Sequence, residues 1–381
     1  MALTILNSPG NNSSVSSEML FVINEATKAN DPVTYPNYFY ILDIYVDGDI
    51  VARQRIAPDP TYKFGKADVS VILRDYVPVY KLKANYTTFQ ETYETQLTYH
   101  VELGEEYDGT TYTNLVTDSD RTCYKTYKER PFTSSDAVTS VSNGVASNMP
   151  KRLTGFRDEV WRIVPFFSNA SGTIEYETYR SAGTSIYSGT TSFSGTNRIN
   201  TLNLGLTKLA AVTSSDEEVD KIRFAFNGDD YYVNIRCSKY PVTTLAWLNP
   251  YGAYESYGFG MVSKRTNQVT RKDFSKLPYE INASGVVSYD ADGVLYGTKK
   301  TYSNSIKSTL SLTSHLLTDG EYTWLADLFS SPDVYRYDDT LSKFVPCVIV
   351  DSNYDYRTYL NSRLTPLQFN IEFAEYNSQF L

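Results

Sequence analysis

The chain has 381 residues, 35 of them basic and 44 acidic, for a net charge of −9. Hydrophobic residues at 41% and charged residues at 21% supply packed cores and exclude a disordered chain. Two histidines and three cysteines argue against a histidine-rich metal enzyme and a disulfide-stapled module, and an acidic chain without clustered Lys and Arg is a poor general binder of nucleic acid.

The start, Met1 to Gly10, has no basic region and no long apolar run, so no signal peptide is expected. Apolar stretches such as Val348–Val350 fall far short of the roughly 20 residues of a membrane span. The expectation is a soluble protein folding in a reducing cytosol. Cys123, Cys237 and Cys347 are widely separated, lack a Cys-x-x-Cys spacing, and read as core or half-buried thiols.

In chain order, a strand is expected at Met19–Ala26. Tyr38–Val46, Asp47-Gly48 and Ile50–Ile56 then form a hairpin, because Asp-Gly supplies the positive φ angles of a tight turn. A short helical turn is expected after Asp68, around Val71–Leu73. From Thr92 to Leu103 apolar and polar residues alternate, with Tyr93, Leu97, Tyr99, Val101 and Leu103 on one side. That pattern predicts one long antiparallel strand with a wet face. Residues 108–150 are rich in Thr, Ser, Asp and Asn and mark a boundary. Strands are expected at Glu159–Phe167 and Thr173–Tyr179. Residues 181–197 are low in complexity and read as a long hairpin or a surface loop. Asn227-Gly228 joins Ile222, Phe224 and Phe226 to Tyr231, Val233 and Ile235 in a second hairpin.

Asn249-Pro250-Tyr251-Gly252 marks a further boundary. Ser263–Lys276 is the only concentration of positive charge and reads as an edge strand or as an interface with an acidic neighbour. Asp290-Ala-Asp-Gly293 resembles the opening of a calcium loop, but Thr301 stands where the glutamate belongs, so a plain turn is expected. Thr318-Asp-Gly-Glu321 is a capping box for a helix at 319–330, with Tyr322, Leu325, Leu328 and Phe329 on one stripe. Strands close the chain at Lys343–Val350 and at Leu367, Phe369, Ile371 and Phe373. The expected fold is all-β: tandem antiparallel β-sandwich-like domains at 1–107, 108–250 and 251–381, with one short helix in the last.

Enzyme motifs are missing: no Gly-x-Ser-x-Gly, His-Glu-x-x-His, phosphate loop or dinucleotide fingerprint. His100 falls on the polar face of a strand and His315 at a strand end or on the approach to a helix, neither placed as a base. Ser214–Glu218 reads as a solvated charge run. A non-enzymatic protein with no catalytic residue, metal site or cofactor is expected. Tyrosine is abundant, at 34 residues, and clusters at Tyr35, Tyr38, Tyr40 and Tyr45, at Tyr251, Tyr254 and Tyr257, and at Tyr354, Tyr356 and Tyr359. Large rings with a polar tip suit strand packing, subunit interfaces and sugar stacking alike. The candidate interface residues are Tyr35, Tyr38, Tyr40, Tyr251, Tyr254 and Tyr257, with the cations Lys264, Arg265, Arg271 and Lys272.

Tyr38–Val46 with Asp47-Gly48 and Ile50–Arg53, Val101–Tyr107, Leu248–Phe259 and Glu321–Asn361 carry a resemblance in short phrases across most of the chain. By these the sequence resembles virion structural proteins of tailed bacteriophages that infect Bacteroides-type gut bacteria, the crAss-like group. The resemblance implies a β-sandwich subunit of a neck, collar, tail or baseplate ring. Its partners would be copies of itself and neighbouring tail, neck or portal proteins, without membrane or specific nucleic acid. Its place would be the virion, assembled in the host bacterial cytoplasm. A host-receptor or glycan-binding tail appendage is the alternative.

Overall fold

The computed structural model describes residues 3–11, 13–78, 82, 90–93, 96–125, 144–168, 171–180, 183–193, 198–205, 219–291, 293–351, 365–373 and 377–380. The chain is all-β. A three-stranded sheet (Thr4–Asn7, Leu20–Asn24, Gly65–Asp68) faces a six-stranded one, ordered Ser13–Ser14, Arg121–Tyr124, Gln96–Tyr107, Phe39–Val46, Asp49–Ile56, with Thr110–Thr117 also paired to Gln96–Tyr107. Between them Phe21, Ile23, Leu42, Ile44, Val101 and Leu103 form one buried cluster. The two sheets thus pack as a sandwich, with Phe39–Val46 buried on both faces and Gln96–Tyr107 alternating over its first half.

Two further sheets make a second sandwich: Gly144–Val145, Ile163–Ser168, Arg198–Asn203 and Gln90–Tyr93 on one side, and Arg152–Phe156, Asp229–Arg236, Lys221–Phe226, Gly172–Tyr179 and Ser185–Phe193 on the other. An eight-stranded sheet follows, ordered Tyr254–Phe259, Thr243–Leu248, Val334–Asp338, Lys343–Ile349, Thr365–Phe373, Lys299–Leu317, Lys264–Ser275, with Asn377–Phe380 also on Lys299–Leu317. The helix Asp319–Ser330 lies against it through Trp324 on Trp247 (5.4 Å between rings) and Phe329 on Phe369 (5.2 Å). Its capping box is complete: the Thr318 hydroxyl accepts from the Glu321 amide, and the Glu321 carboxylate accepts from the Thr318 amide at 3.0 Å.

Asp47-Gly48 and Asn227-Gly228 are the expected hairpin turns, with φ of 52° and 89° and of 50° and 84°. The helical turn is Ser70–Leu73, and 183–193 belong to a hairpin with Gly172–Tyr179. Pairing is not antiparallel throughout: Cys123 runs parallel to Ser13, and Leu153 to Val233.

The expected long strand at 92–103 is two strands in two sheets. Gln90–Tyr93 pairs with Arg198–Asn203, while Gln96–Tyr107 is central in the first sandwich. Alternation cannot reveal the switch, because both pieces keep the same period. The boundary expected at 107 also differs. Tyr107 and Thr110 flank a third tight turn, Asp108-Gly109, so the first unit runs on to Tyr124. The break expected at 250 falls inside a hairpin: Leu248 pairs with Tyr254, and the Asn249 side chain accepts from the amides of Tyr251 and Ala253 at 3.0 and 3.1 Å. One cluster of buried residues, from Val145 to Ile371, is common to the second sandwich and the eight-stranded sheet.

Candidate interaction arm

The four cations singled out in the sequence lie together. Lys264, Arg265, Arg271 and Lys272 belong to the strand Lys264–Ser275, in which every residue is exposed. It is the terminal strand of the eight-stranded sheet and, among the described residues, pairs there only with Lys299–Leu317. Twelve extended residues span about 40 Å, so the pair, joined over Ser303–Ile306 by Asn377–Phe380, forms a long ribbon, here called the arm. Burial along the inner strand begins only at Leu310, where Thr365–Phe373 pairs on its other side. The tip, 276–298, holds two minimal hairpins, Glu280–Ile281 with Val287–Ser288 and Asp290–Ala291 with Val294–Leu295. Gly293, just before Val294–Leu295, has a φ of 79°.

The arm's apolar residues are its most informative feature. Val269 is paired directly with Ile306, and Ile306 is on the same face as Leu310 by the two-residue period. Leu310 is buried, yet Val269 is 42% and Ile306 37% exposed. The core-facing side of the sheet thus continues beyond the body with nothing of this chain over it among the described residues. Phe274 and Tyr302, with ring centroids 6.3 Å apart, extend the exposed apolar surface. At the tip Leu277, Val294 and Leu295 are exposed, Leu295 to 77%.

The tyrosines expected at an interface are mostly in the core. Tyr38, Tyr40, Tyr254 and Tyr257 are buried, and Tyr35 and Tyr251 half-buried. The physical reason is that the polar tips find partners inside. The Tyr38 hydroxyl donates to Glu105 (3.1 Å), Tyr40 to the Lys63 carbonyl (2.7 Å) and Tyr254 to Asp333 (2.9 Å). Tyr251 donates to Asn148 at 3.0 Å. Tyr354, Tyr356 and Tyr359, like Ser214–Glu218, lie outside the described residues.

Both histidines take structural positions. The His100 ring stacks on Tyr45 at 4.8 Å, and its Nδ1 lies 3.4 Å from Asp120. His315 is buried inside a polar network that sequence reasoning missed. Its Nδ1 is 2.5 Å from the Tyr257 hydroxyl and its Nε2 3.7 Å from Glu321. Across the Tyr257 ring, the Arg162 guanidinium sits 5.2 Å from the centroid and donates to Glu159 (2.6 Å) and the Thr154 carbonyl (3.0 Å). Burial pushes the Glu321 carboxyl up, but the neighbouring His315 imidazole and hydrogen bonds from the amides of Thr318 and Thr154 outweigh it and hold it at about 2. The network ties the second sandwich to the eight-stranded sheet and its helix. Cys123 and Cys347 are buried thiols and Cys237 an exposed one. No group of three or more metal-ligating side chains occurs among the described residues. No helix among them is long and apolar enough to cross a membrane.

No family model and no curated protein matches the sequence. Among solved structures the chain is similar to the crystal structure of native alpha-2-macroglobulin from Escherichia coli spanning domains MG0-NIE-MG1. The two are 11% identical with a TM-score of 0.24, over 68% of this chain and 87% of that one. A likeness so slight carries nothing about function.

Proposed function

We propose that the chain is a structural subunit of a bacteriophage neck or tail ring or baseplate, acting by symmetric self-association and by docking to neighbouring virion proteins. The observation that carries this reading is the arm, where Val269 and Ile306 are exposed on the same face that buries Leu310 in the body. Closed rings need only complementary surfaces on each copy, a task that asks for no bond-breaking chemistry. Assembly in the host cytoplasm accords with three free thiols. The phage assignment itself draws on the sequence resemblance. A reconstruction of the virion tests it directly: copies of this fold arranged around the neck or tail axis support it, and their absence from the particle overturns it.

A second reading, a glycan-binding appendage, is favoured by one feature. A pocket of about 230 Å³ is lined by Arg152, Lys221, Tyr232 and Asn234, and Lys221 Nζ lies 4.8 Å from the ring centroids of both Tyr179 and Tyr232. Binding to host polysaccharide on an array, lost in Tyr232→Ala, would establish it.

A further inference from the structure

We infer that the arm of one copy docks on the acidic N-terminal unit of the next copy, in a head-to-tail contact. This rests on the self-association proposed above and names the surfaces involved. The arm is a surface that a partner would cover, because Val269, Ile306, Phe274 and Tyr302 leave apolar side chains open on a stretch of sheet only two strands wide, or three where Asn377–Phe380 pairs with Ser303–Ile306. Its outer strand also keeps an unpaired edge among the described residues, which a neighbouring chain can satisfy.

Charge identifies the occupant. Residues 264–308 contain eight Lys and Arg against four Asp and Glu, a net of +4, in a chain whose remainder is −13. That remainder is uneven. Residues 1–125 carry ten cations against seventeen anions, residues 126–260 thirteen of each, and residues 309–381 four against ten. In 309–381 six of the eight described carboxylates are engaged at home, Asp327 by Asn148, Asp333 by Tyr254, Asp338 by Arg336, Asp351 by Asn370, Glu372 by Lys307 and Glu321 inside the buried network, while Asp319 and Asp339 are exposed. In the N-terminal unit Asp47, Asp75 and Asp108 lie exposed on turns and Asp49 at the start of a strand, beside the exposed Ile50. This mix of anions with apolar neighbours complements Val269 beside Arg271. A contact between two different surfaces of one chain is heterologous, and it closes into a ring when the rotation per copy divides the circle.

The test uses the full chain, prepared as an equal mixture of isotopically light and heavy protein, with a zero-length carbodiimide coupling amines to carboxylates. The expected result is mixed-isotope links from Lys264, Lys272, Lys276, Lys299 or Lys300 to Asp and Glu within residues 1–125. The charge reversal Lys264→Glu, Arg265→Glu, Arg271→Glu and Lys272→Glu, on four exposed side chains, should weaken association at least about tenfold without changing the circular dichroism. Raising salt from about 50 to about 500 mM should weaken the wild type in the same direction. Links from the arm to 309–381 or to a second arm, or a reversed variant that assembles like the wild type, overturn this contact and leave the assembly reading standing. A chain that stays solitary at every concentration overturns both.

Discussion

Val269 and Ile306 face each other across the arm in direct register, on the side of the sheet that buries Leu310 a few residues away. The same strand pair is core at one end and exposed apolar surface at the other. Burying one such side chain is worth about 1.5–3 kcal/mol, so covering several is a substantial drive for association.

The Arg162–Glu159 pair is fully inside the protein, and either charge alone would be stranded there. Replacing Glu159 by Ala should cost about 3–5 kcal/mol, read from denaturant midpoints. Replacing both together, Glu159→Leu with Arg162→Met, should cost less than the single change, because no bare charge remains. A double variant as unstable as the sum of the singles would contradict this account of the network.

Two buried carboxyls give stability opposite dependences on pH. Glu321 sits at about 2 in the fold against an ordinary 4.5, so its contribution is complete above 4.5 and is lost as pH falls through about 2. Glu255 is the reverse: burial pushes it up to about 8 against the pull of the Ser147 hydrogen bond. Its contribution is complete below 4.5 and is lost as pH rises through about 8. Stability should therefore decline between pH 5 and 8, and Glu255→Gln should flatten that decline and raise the midpoint at pH 8. An unchanged slope in the variant would assign the decline elsewhere.

Gly104 marks the irregularity where Thr110–Thr117 joins its neighbour. A Cβ there would lie 2.2 Å from the Tyr112 carbonyl oxygen, which is backbone and cannot swing aside. Gly104→Ala should lower stability by roughly 1–3 kcal/mol. Hydrogen exchange should locate the loss in 110–117, and protection there equal to the wild type would refute the close approach.

Among the cysteines, burial pushes Cys123 and Cys347 up to about 12, while Cys237 is exposed. A thiol reagent at neutral pH should modify one group per native chain and three after unfolding. Cys237→Ser should abolish the native reaction.

The fold was legible where a local rule acts alone. Asp47-Gly48 and Asn227-Gly228 made their turns, and Thr318 and Glu321 made their cap. Legibility failed where one signal serves two structures. The period of two runs through residues 92–103 although the chain changes sheet within it. Asn249-Pro250 looks like a linker and is a hairpin turn, because its Asn side chain caps the amides that follow. The cations of the arm were visible as a cluster, but its apolar face was not. Lys299–Ser308 is too polar to show a strand period, and Val269 is recognisable as unburied only once its partner Ile306 is placed. The tyrosines misled for a related reason: the partners that keep Tyr38, Tyr40, Tyr254 and Tyr257 inside are, in most cases, distant in sequence.

Sedimentation velocity across a concentration series, comparing the wild type with Val269→Lys, Ile306→Lys, measures most directly whether the uncovered arm drives assembly. The account predicts concentration-dependent oligomers for the wild type and a single 43.1 kDa species for the variant, both equally folded. A wild type that sediments only as a monomer, or a variant that assembles just as well, would contradict it.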